Sequence, residues 1–452
     1  MSKKWKIANE KIIESALELE KQLLVNRGIK TEKQKKEFFN PKMEDYEKDF
    51  NLSGIAIAKK RILKAIKNQE LIIVYGDYDA DGICGTAVLY LGLSSLGATV
   101  LPYIPHREKE GYGLSEEGLD DAKAQGASLV ITVDNGIVAI KQAKYAKKIG
   151  LDLIITDHHL PLDKKPDALA IVHSTKMCGT AAGWCLVKKL VTWDLAQELL
   201  DLVALATIAD MVPLLGVNRV LVKAGLKQMN QTKKVGLLAL IKDAGLNLGS
   251  IGTYEVGYII GPRLNAKGRL EHALDALRLL CTKDLEKAKK LAKILSDTND
   301  KKKQLVEDAI LEAREMIKIS YLGSGMQKKI LVLHSKNWIP GIVGLVAGRI
   351  AEEYNLPTIA ISLGEIESKG SARSIKGVNI VETIRMCSEF LIDVGGHPQA
   401  AGFTLETTKI ETFKQKLEKT INNIDFEKDG YLEIEAVLNC RQISKKWITE
   451  IQ

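Results

Sequence analysis

The feature that most constrains the fold is an alternation of short apolar runs with helix-length segments. Four runs rich in β-branched residues occupy positions 71–75, 99–104, 129–133 and 153–156. Strand-length runs that alternate with helical segments are typical of a parallel sheet with helices on both faces. The sequence therefore predicts an α/β fold built on a parallel sheet.

Acidic and imidazole side chains follow these runs at the points where the strands should end. In open parallel sheets, ligand sites lie outside the carboxyl ends of the strands. We therefore expect one shared site at this edge of the sheet. Its candidate residues, including one carboxylate from a later apolar helical segment, are Asp77, Asp79, Asp81, Asp134, Asp157, His158, His159 and Asp210.

Taken singly, each of these motifs has a structural interpretation. GDYDADG (76–82) could be a solvated acidic turn, Asp134 a helix N-cap, and the His158–His159 pair a structural one. An EF-hand is excluded because position 12 of the loop would be Val88 and the preceding segment is a strand. The carboxylate of Asp210 lies among apolar residues, so it should be either paired or metal-bound.

Taken together, the motifs favour a metal site. Alternate carboxylates repel one another, and a divalent cation would offset that repulsion. Carboxylates and imidazoles without thiolates suit Mn²⁺ or Mg²⁺. This many ligands suits two ions about 3.5–4 Å apart, an arrangement used for hydrolysis of phosphate esters. Because neighbouring side chains on an extended segment alternate, we expect His158 and His159 to point in opposite directions.

Basic and glycine-rich segments are candidate phosphate sites, since glycine permits close backbone approach and Arg offers two parallel donors. Arg107 follows the second run, and Arg263 and Arg269 bracket a glycine-rich loop, GPRLNAKGR. Arg373 lies in GSARS and His397 in GGHPQAAG. Singly, each Arg could equally be a surface ion pair and each Gly a turn.

A second α/β pattern follows in the last third of the chain. Residues 284–318 predict one or two long helices. Strands are then expected at 330–333, 358–362 and 370–374, with a helix over 341–353. A domain boundary is therefore predicted near 320–328.

Composition excludes several classes of protein. Lys and Arg number 65 and Asp and Glu 57, a net charge of +8 that fits a polyanionic partner without requiring one. No apolar run reaches membrane-spanning length, and the N-terminus lacks a secretory signal pattern. Six cysteines without a C-x-x-C pair disfavour a disulfide scaffold and structural zinc, so a cytoplasmic location is expected.

The motifs GDYDADG, TVDNGI, TDHHLP and ATIADMVPL, in this order, resemble the DHH phosphoesterase superfamily. PYIPHREKEGYGLS, GPRLNAKGR and GSARS followed by GGHPQAAGF are similar to its single-stranded-DNA-specific exonucleases. The resemblance runs from about residue 38 to about residue 403. It implies removal of nucleotides in the 5′-to-3′ direction from single-stranded DNA, with Mn²⁺ or Mg²⁺, in DNA repair and recombination.

The resemblance also implies an arrangement of domains, with a DHH-associated domain closing a cleft. The expected segments are an N-terminal helical lead over 1–50, a DHH catalytic domain over 51–280, connecting helices over 281–325, a DHH-associated substrate-binding domain over 326–425, and the start of an oligonucleotide-binding barrel over 426–452.

Roles for individual residues follow from the same resemblance. The expected metal ligands are Asp77, Asp79, Asp81, Asp134, His158 and Asp210, with Asp79 and Asp81 favoured within the first motif and Asp134 expected to bridge the ions. The expected catalytic residues are Asp134, Asp157 and His159. The expected substrate-binding residues are Arg107, Arg263, Asn265, Arg269, Arg373, Gly395, Gly396 and His397.

Two departures from the family pattern leave alternatives open. Asn135 stands where a cysteine is commoner, with little expected consequence. Residues 429–438 resemble the first strand of the barrel, but about 25 residues cannot close five strands.

A hydrolase of short oligonucleotides or nucleotides is therefore one alternative function. A non-catalytic binding protein of a replication or repair complex is another, although such relatives usually lose metal ligands. A pyrophosphatase is disfavoured. A single-strand-binding protein or a helicase would be a further partner, and no membrane is expected.

Overall fold

The computed structural model of the chain describes residues 4–107, 110–111, 113–319, 328–426, 431–439, 441, 443–445 and 447–448. The chain divides into two compact units. The central unit is Glu37–Lys301, and the terminal unit combines Met1–Lys36 with Lys302–Gln452. Among the described residues, no helix is both long and apolar enough to cross a membrane.

The chain begins with two short strands and two helices, and a 3₁₀ turn over Met43–Tyr46 follows them. These elements are β1 (Lys4–Ile7), β2 (Ile12–Ile13), α1 (Ala16–Asn26) and α2 (Glu32–Phe39). The strands were not predicted within the helical lead. β1 pairs in parallel with a strand over Tyr431–Ile434, more than four hundred residues away in sequence. A local pattern cannot reveal such a pairing, because strand formation depends on the partner.

The central unit is built on a five-stranded sheet in which every pairing is parallel, in the order β4-β3-β5-β6-β7. Its elements are α3 (Ile55–Lys67), β3 (Leu71–Tyr75), α4 (Ala80–Ser95), β4 (Val100–Tyr103), α5 (Glu116–Ala124), β5 (Ala127–Val133), α6 (Ile140–Lys148), β6 (Asp152–Asp157) and β7 (Ala170–His173). The predicted α/β class and its four strands are confirmed. The edge strand β7 was missed because its four residues alternate between buried and half-buried.

Helices cover both faces of this sheet, which explains why its strands are continuously apolar. Ile131 and Ile154 are buried in the cluster that includes residues of α3 and α4. Their neighbours Val130 and Ile155 are buried in a second cluster with α5 and α6. Alternate residues of one strand therefore serve opposite faces, as strand geometry requires.

A helical layer completes the central unit. It contains α7 (Gly179–Lys188), α8 (Trp193–Glu198), α9 (Leu200–Ala209), α10 (Gly216–Met229), α11 (Val235–Asp243), a π-helix (Glu255–Ile260), α12 (Gly261–Leu270) and α13 (Leu274–Cys281). The predicted glycine-rich loop at 261–269 is wrong, since these residues form α12. Pro262 fits the first turn of a helix. Gly268 permits close packing, because a Cβ there would lie 2.3 Å from the Tyr78 carbonyl oxygen.

A single 33-residue helix, α14 (Leu285–Ile317), carries the chain from residues of the central unit into those of the terminal unit. The predicted boundary near 320–328 falls almost entirely outside the described residues. The sequence predicted either one or two long helices here, and the structure has one, α14.

The terminal unit contains a second five-stranded sheet, ordered β11-β12-β10-β9-β8. Its elements are β8 (Leu331–Ser335), α15 (Pro340–Tyr354), β9 (Thr358–Ser362), β10 (Glu367–Arg373), α16 (Ile380–Arg385), β11 (Leu391–His397), β12 (Ala400–Glu406), α17 (Ile410–Asn422), β13 (Tyr431–Ile434) and β14 (Val437–Leu438). β8 and β9 are parallel and the other neighbours in this sheet are antiparallel. The predicted strands are present, and GGHPQAAG forms the end of a β11–β12 hairpin.

Two glycines of this second sheet offer a test of its packing. Replacing Gly370 with Ala should lower the free energy of unfolding by about 1–3 kcal/mol, as overpacking does. The reason is that the new methyl group would lie 2.1 Å from the Phe403 ring. Gly402→Ala is the matched control, because nothing lies within 4 Å of the position that its new Cβ would take. Urea denaturation followed by circular dichroism measures both variants, and equal losses would contradict the packing.

Candidate metal centre

Four separate segments bring their acidic and imidazole side chains together at the carboxyl edge of the central sheet. The segments follow β3, β5, β6 and the helix α9. Among the described residues, three overlapping groups have ligand atoms within 4.8 Å of one another. These groups are Asp134 with His158 and His159, Asp81 with His158 and Asp210, and Asp77 with Asp79 and Asp134.

His158 lies at the centre of this cluster. Its Nε2 is 3.1 Å from Asp134 Oδ1, 3.7 Å from Asp81 Oδ2 and 3.8 Å from Asp210 Oδ2. One imidazole nitrogen thus faces carboxylates from three segments that are far apart in sequence. Such convergence is what a shared cation site requires.

Asp134 is buried and takes an unusual backbone conformation, with φ of +62°. Few residues other than glycine adopt this conformation, and it marks functional positions more often than chance. Gly179, at the start of α7, makes room for the carboxylate, because a Cβ there would lie 2.7 Å from Asp134 Oδ1. Gly82 does the same for Asp77, with a Cβ position 2.6 Å from the Asp77 Cα.

Backbone amides hold two of the three carboxylates of the first motif. Asp79 caps α4 by accepting hydrogen bonds from the amides of Asp81 and Gly82. Asp81 accepts from the amides of Gly179 and Thr180 at 2.7 and 2.8 Å. The amino ends of α4 and α7 therefore point toward the cluster, where their dipoles favour negative charge.

Asp77 differs from its two neighbours. Its carboxylate is buried, and its Oδ1 has no hydrogen-bond partner among the described residues. A buried carboxylate oxygen without a partner is costly. A divalent cation would satisfy it, so the residues present fit the hard cation that the sequence predicted.

The electrostatics point the same way. Burial, reinforced by Asp81 and the other nearby carboxylates, raises the pKa of Asp134 well above its usual range. Burial also raises the pKa of Asp210 to about 8, with Asp81 and Asp79 adding to the shift. When ionised, these carboxylates repel one another, and a bound cation would relieve that repulsion.

The two histidines do not point in opposite directions, so that expectation is wrong. Their ring centroids are 4.5 Å apart, because the chain leaves the extended conformation after β6. His159 Nδ1 is 2.8 Å from Asp157 Oδ1 and 3.9 Å from Asp134 Oδ1. Burial lowers the pKa of His159, but the hydrogen bond and charge of Asp157 outweigh burial and leave it raised.

Asp157 is the residue that orients this segment. Its carboxylate accepts hydrogen bonds from the amides of Ile137, His158 and His159. Both of its oxygens are therefore used within the protein. This geometry suits an orienting role next to the cluster.

The helix α12 braces the first acidic motif from the other side. Asn265 Oδ1 accepts a hydrogen bond of 2.7 Å from the Ala80 amide, and Gly268 lies against the Tyr78 carbonyl. Asn265 was expected to bind substrate. That role stays a prediction, and its side chain contacts the start of α4, next to Asp79 and Asp81.

The arginines of the central unit differ in their surroundings. The Arg107 guanidinium lies 4.9 Å from the centre of the Tyr78 ring. Arg269 influences the charge of the same motif, since its field opposes the raised pKa of Asp79. Arg263 is turned toward α14 and donates to Ser296 Oγ and the Ile259 carbonyl. Two of the three thus lie by the acidic motif.

The remaining candidates belong to the terminal unit. Arg373, at the end of β10, donates to Ser371 Oγ and the Ala372 carbonyl. Gly395, Gly396 and His397 are exposed at the end of β11. Gly396 has φ of +145°, and a Cβ there would lie 2.3 Å from the Ala400 carbonyl oxygen. These residues therefore form part of a tight hairpin.

Several residues that shape the site were not predicted. Gly179 and Thr180 carry no motif signal beyond their place at the start of a helix. Asn135 is buried, and its amide donates to the carbonyls of Val133 and Tyr75. It thereby ties the ends of β3 and β5 together, a structural role that the sequence pattern alone does not reveal.

The chain matches two family models and several known proteins. A family model described as the DHH family, N-terminal domain, matches residues 71–207, and one described as the DHHA1 domain matches residues 327–423. The single-stranded-DNA-specific exonuclease RecJ of Bacillus subtilis is 38% identical over 442 residues, 95% of this chain and 56% of that protein. RecJ of Escherichia coli is 34% identical over 81% of this chain and 68% of that protein.

Solved structures of RecJ proteins are also similar to this chain. A crystal structure of exonuclease RecJ bound to manganese is 34% identical, with a TM-score of 0.74, over 83% of this chain and 96% of that one. RecJ of Thermus thermophilus in complex with Mn²⁺ has a TM-score of 0.81 at 29% identity, over 99% of this chain and 67% of that one.

Fold and site together define a protein of the DHH class with a DHHA1 domain. More narrowly, the chain belongs to the RecJ family of single-stranded-DNA-specific exonucleases. It spans 56% of the length of the Bacillus subtilis relative.

Two glycines one turn apart on α7 test the carboxylate geometry. Gly179→Ala should weaken Mn²⁺ binding about tenfold or more, the usual effect of disturbing residues behind a metal ligand. The new methyl group would displace Asp134. Gly183→Ala is the control, since its Cβ would meet Val133 at an ordinary 3.4 Å. Isothermal titration with Mn²⁺ measures both, and similar affinities for both variants would refute the proposed crowding at Asp134.

The brace from α12 gives a second test. Asn265→Ala should also weaken Mn²⁺ binding about tenfold, because the Ala80 amide loses its acceptor and the acidic motif is no longer fixed. Asn247→Ala, on an exposed turn whose side chain is not part of this contact, serves as the control. The same titration applies. Unchanged Mn²⁺ affinity in Asn265→Ala would show that the hydrogen bond does not position the motif.

Proposed function

We propose that this chain is a metal-dependent exonuclease that hydrolyses single-stranded DNA from the 5′ end. The observation that carries the proposal is the convergence of carboxylates from three segments around His158, which lies on a fourth, in a member of the RecJ family. The activity is the one named for the full-length RecJ relatives, and we propose it here for a chain that spans only part of their length. A role in DNA repair and recombination follows from the same membership.

The proposed cofactors are two divalent cations, Mn²⁺ or Mg²⁺. Support comes from the unpartnered buried oxygen of Asp77, the mixed carboxylate and imidazole donors, and the metals in the named RecJ structures. The residues proposed to hold the ions are Asp77, Asp79, Asp81, Asp134, His158 and Asp210. When bound, such ions supply a water of lowered pKa and neutralise charge on the phosphate.

The side chains around the ions have separate tasks in this proposal. Asp157 fixes His159 by accepting from Nδ1, which leaves Nε2 as the nitrogen able to hold or donate a proton. His159 would therefore stabilise negative charge on the phosphate or protonate the leaving oxygen. Asp134, held by its strained backbone, would keep the carboxylate fixed between the metal-holding groups.

Binding of the strand would fall to the basic groups. Arg107 and Arg269, which lie by the first acidic motif, are proposed to receive phosphate groups, including one at the 5′ terminus. Arg263 is a weaker candidate for direct contact, because two of its donors are already used. In the terminal unit, Arg373, His397 and the exposed glycines Gly395 and Gly396 are proposed to contact the strand, since their backbone can be approached closely.

Location and further partners are part of the same proposal. A cytoplasmic location is proposed, and the free thiols of the described cysteines support it, since a reducing compartment keeps thiols unpaired. A single-strand-binding protein or a helicase would deliver the strand. Both would need to be identified by direct binding measurements.

The activity test uses purified protein with Mn²⁺ and single-stranded DNA labelled at either end, from dinucleotides upward. Stepwise loss from the 5′ end at all lengths is expected. Asp134→Ala should reduce the rate by about 10³-fold or more, because metal-assisted chemistry contributes several kcal/mol. Asp167→Asn, which alters an exposed pair with Lys147, should leave the rate unchanged.

Each other outcome of this test is informative. Activity confined to the shortest substrates would replace the proposal with a hydrolase of short oligonucleotides. Activity that survives in Asp134→Ala would refute the metal site as the seat of hydrolysis. Binding of single strands without any hydrolysis would identify a non-catalytic relative.

A further inference from the structure

Two tyrosines outside the metal centre are exposed side by side. Tyr254 and Tyr258 expose 62% and 73% of their surface. Their rings are stacked, with centroids 5.1 Å apart and planes at 27°. In a chain whose aromatic content is only 5%, a stacked and exposed aromatic pair is unusual. The pair is therefore a candidate binding surface.

The pair is not required to anchor its segment. Val256 and Ile260 on the same turn are fully buried in the core of the central unit. They fix the segment, whereas the tyrosines point to solvent. Exposed aromatic surface of this kind gains little for folding and commonly marks an interaction site.

Tyr258 lies within a segment of uncommon backbone conformation, and Tyr254 immediately precedes that segment. Residues Glu255–Ile260 form a π-helix, a conformation that occurs mostly as short insertions and often at functional sites. Gly257 of this segment and Gly261, the first residue of α12, pack against the end of α9. A Cβ on Gly257 would lie 3.5 Å from the Ile208 side chain, and one on Gly261 would lie 3.2 Å from Ala209.

This packing connects the tyrosines to the metal centre. Ile208 and Ala209 immediately precede Asp210, whose carboxylate lies 3.8 Å from His158 Nε2. Tyr258 follows Gly257 directly, so it sits next to the residue that contacts this helix end. The segment that carries the aromatic pair therefore packs against the helix end that presents Asp210 to the cluster.

We propose that Tyr254 and Tyr258 form a stacking platform for the bases of single-stranded DNA. The inference rests on the proposed function and deepens it by assigning where bases, rather than phosphates, are held. Stacking on aromatic rings accepts every base, which suits an enzyme that removes nucleotides without regard to sequence. A phenol ring also tolerates exposure when no strand is bound, because its hydroxyl is polar.

The experiment measures binding separately from hydrolysis. An oligonucleotide of about twelve nucleotides, within common single-strand site sizes, carries 2-aminopurine and cleavage-resistant phosphorothioate linkages. Its fluorescence is titrated with protein and Mn²⁺. The variants are Tyr254→Phe/Tyr258→Phe, which keeps both rings, and Tyr254→Leu/Tyr258→Leu, which keeps apolar side chains but removes the rings. Ile57→Ala, an exposed apolar position on α3, is the surface control.

The wild type, the Phe variant and the control should quench the fluorescence and bind alike. The Leu variant should lose quenching and bind about fivefold to a hundredfold more weakly, as expected for loss of base stacking. Equal binding by the Leu and Phe variants, with thermal unfolding unchanged, overturns the platform. If the wild type binds and quenches but releases no nucleotides from an unmodified strand, the proposed hydrolysis fails while the platform stands.

Discussion

The structure depends on concentrating negative charge at one edge of a buried sheet. Asp77, Asp81 and Asp134 are all buried there, and mutual repulsion opposes the folded state. The protein offsets part of this cost with backbone amides. The first turns of α4 and α7 donate to Asp79 and Asp81, so two helix N-termini face the cluster. What these amides leave unsatisfied, as at Asp77, is what a cation would satisfy.

This demand on space explains small residues that otherwise have no evident purpose. Gly82 and Gly179 begin helices, where glycine is a poor choice for stability. Each is needed because a Cβ would collide with a carboxylate-bearing residue. Two residues of α12 also contact the acidic motif: Asn265 accepts a hydrogen bond from the Ala80 amide, and Gly268 lies against the Tyr78 carbonyl. The lower helix propensity of glycine at these positions therefore accompanies a fixed arrangement of carboxylates.

Much of this could be predicted from the sequence, and the limits have physical causes. Strands β3, β5 and β6 were identified because each is a buried apolar run, and their polar ends located the cluster. The segment 261–269 was misjudged because its glycines suggest a loop, whereas they serve close packing that only the fold reveals. Strands β1 and β13 were missed as a pair because each needs the other, and their separation in sequence hides the relation.

Binding of metal and binding of substrate must be linked in such a site. A polyanionic strand is repelled by an acidic cluster, so cations held there raise the affinity for the phosphates, and by reciprocity the strand raises the affinity for the cations. The arginines beside the first motif offset part of this repulsion, since Arg107 lies 4.9 Å from the centre of the Tyr78 ring and, against the larger effect of burial, its charge lowers the pKa of Asp77. Contacts to bases do not depend on this charge balance, so the proposed aromatic surface, on a segment that packs against the end of α9, would hold a strand in place before the cluster is neutralised. Charge and stacking would then act at different stages of the same encounter.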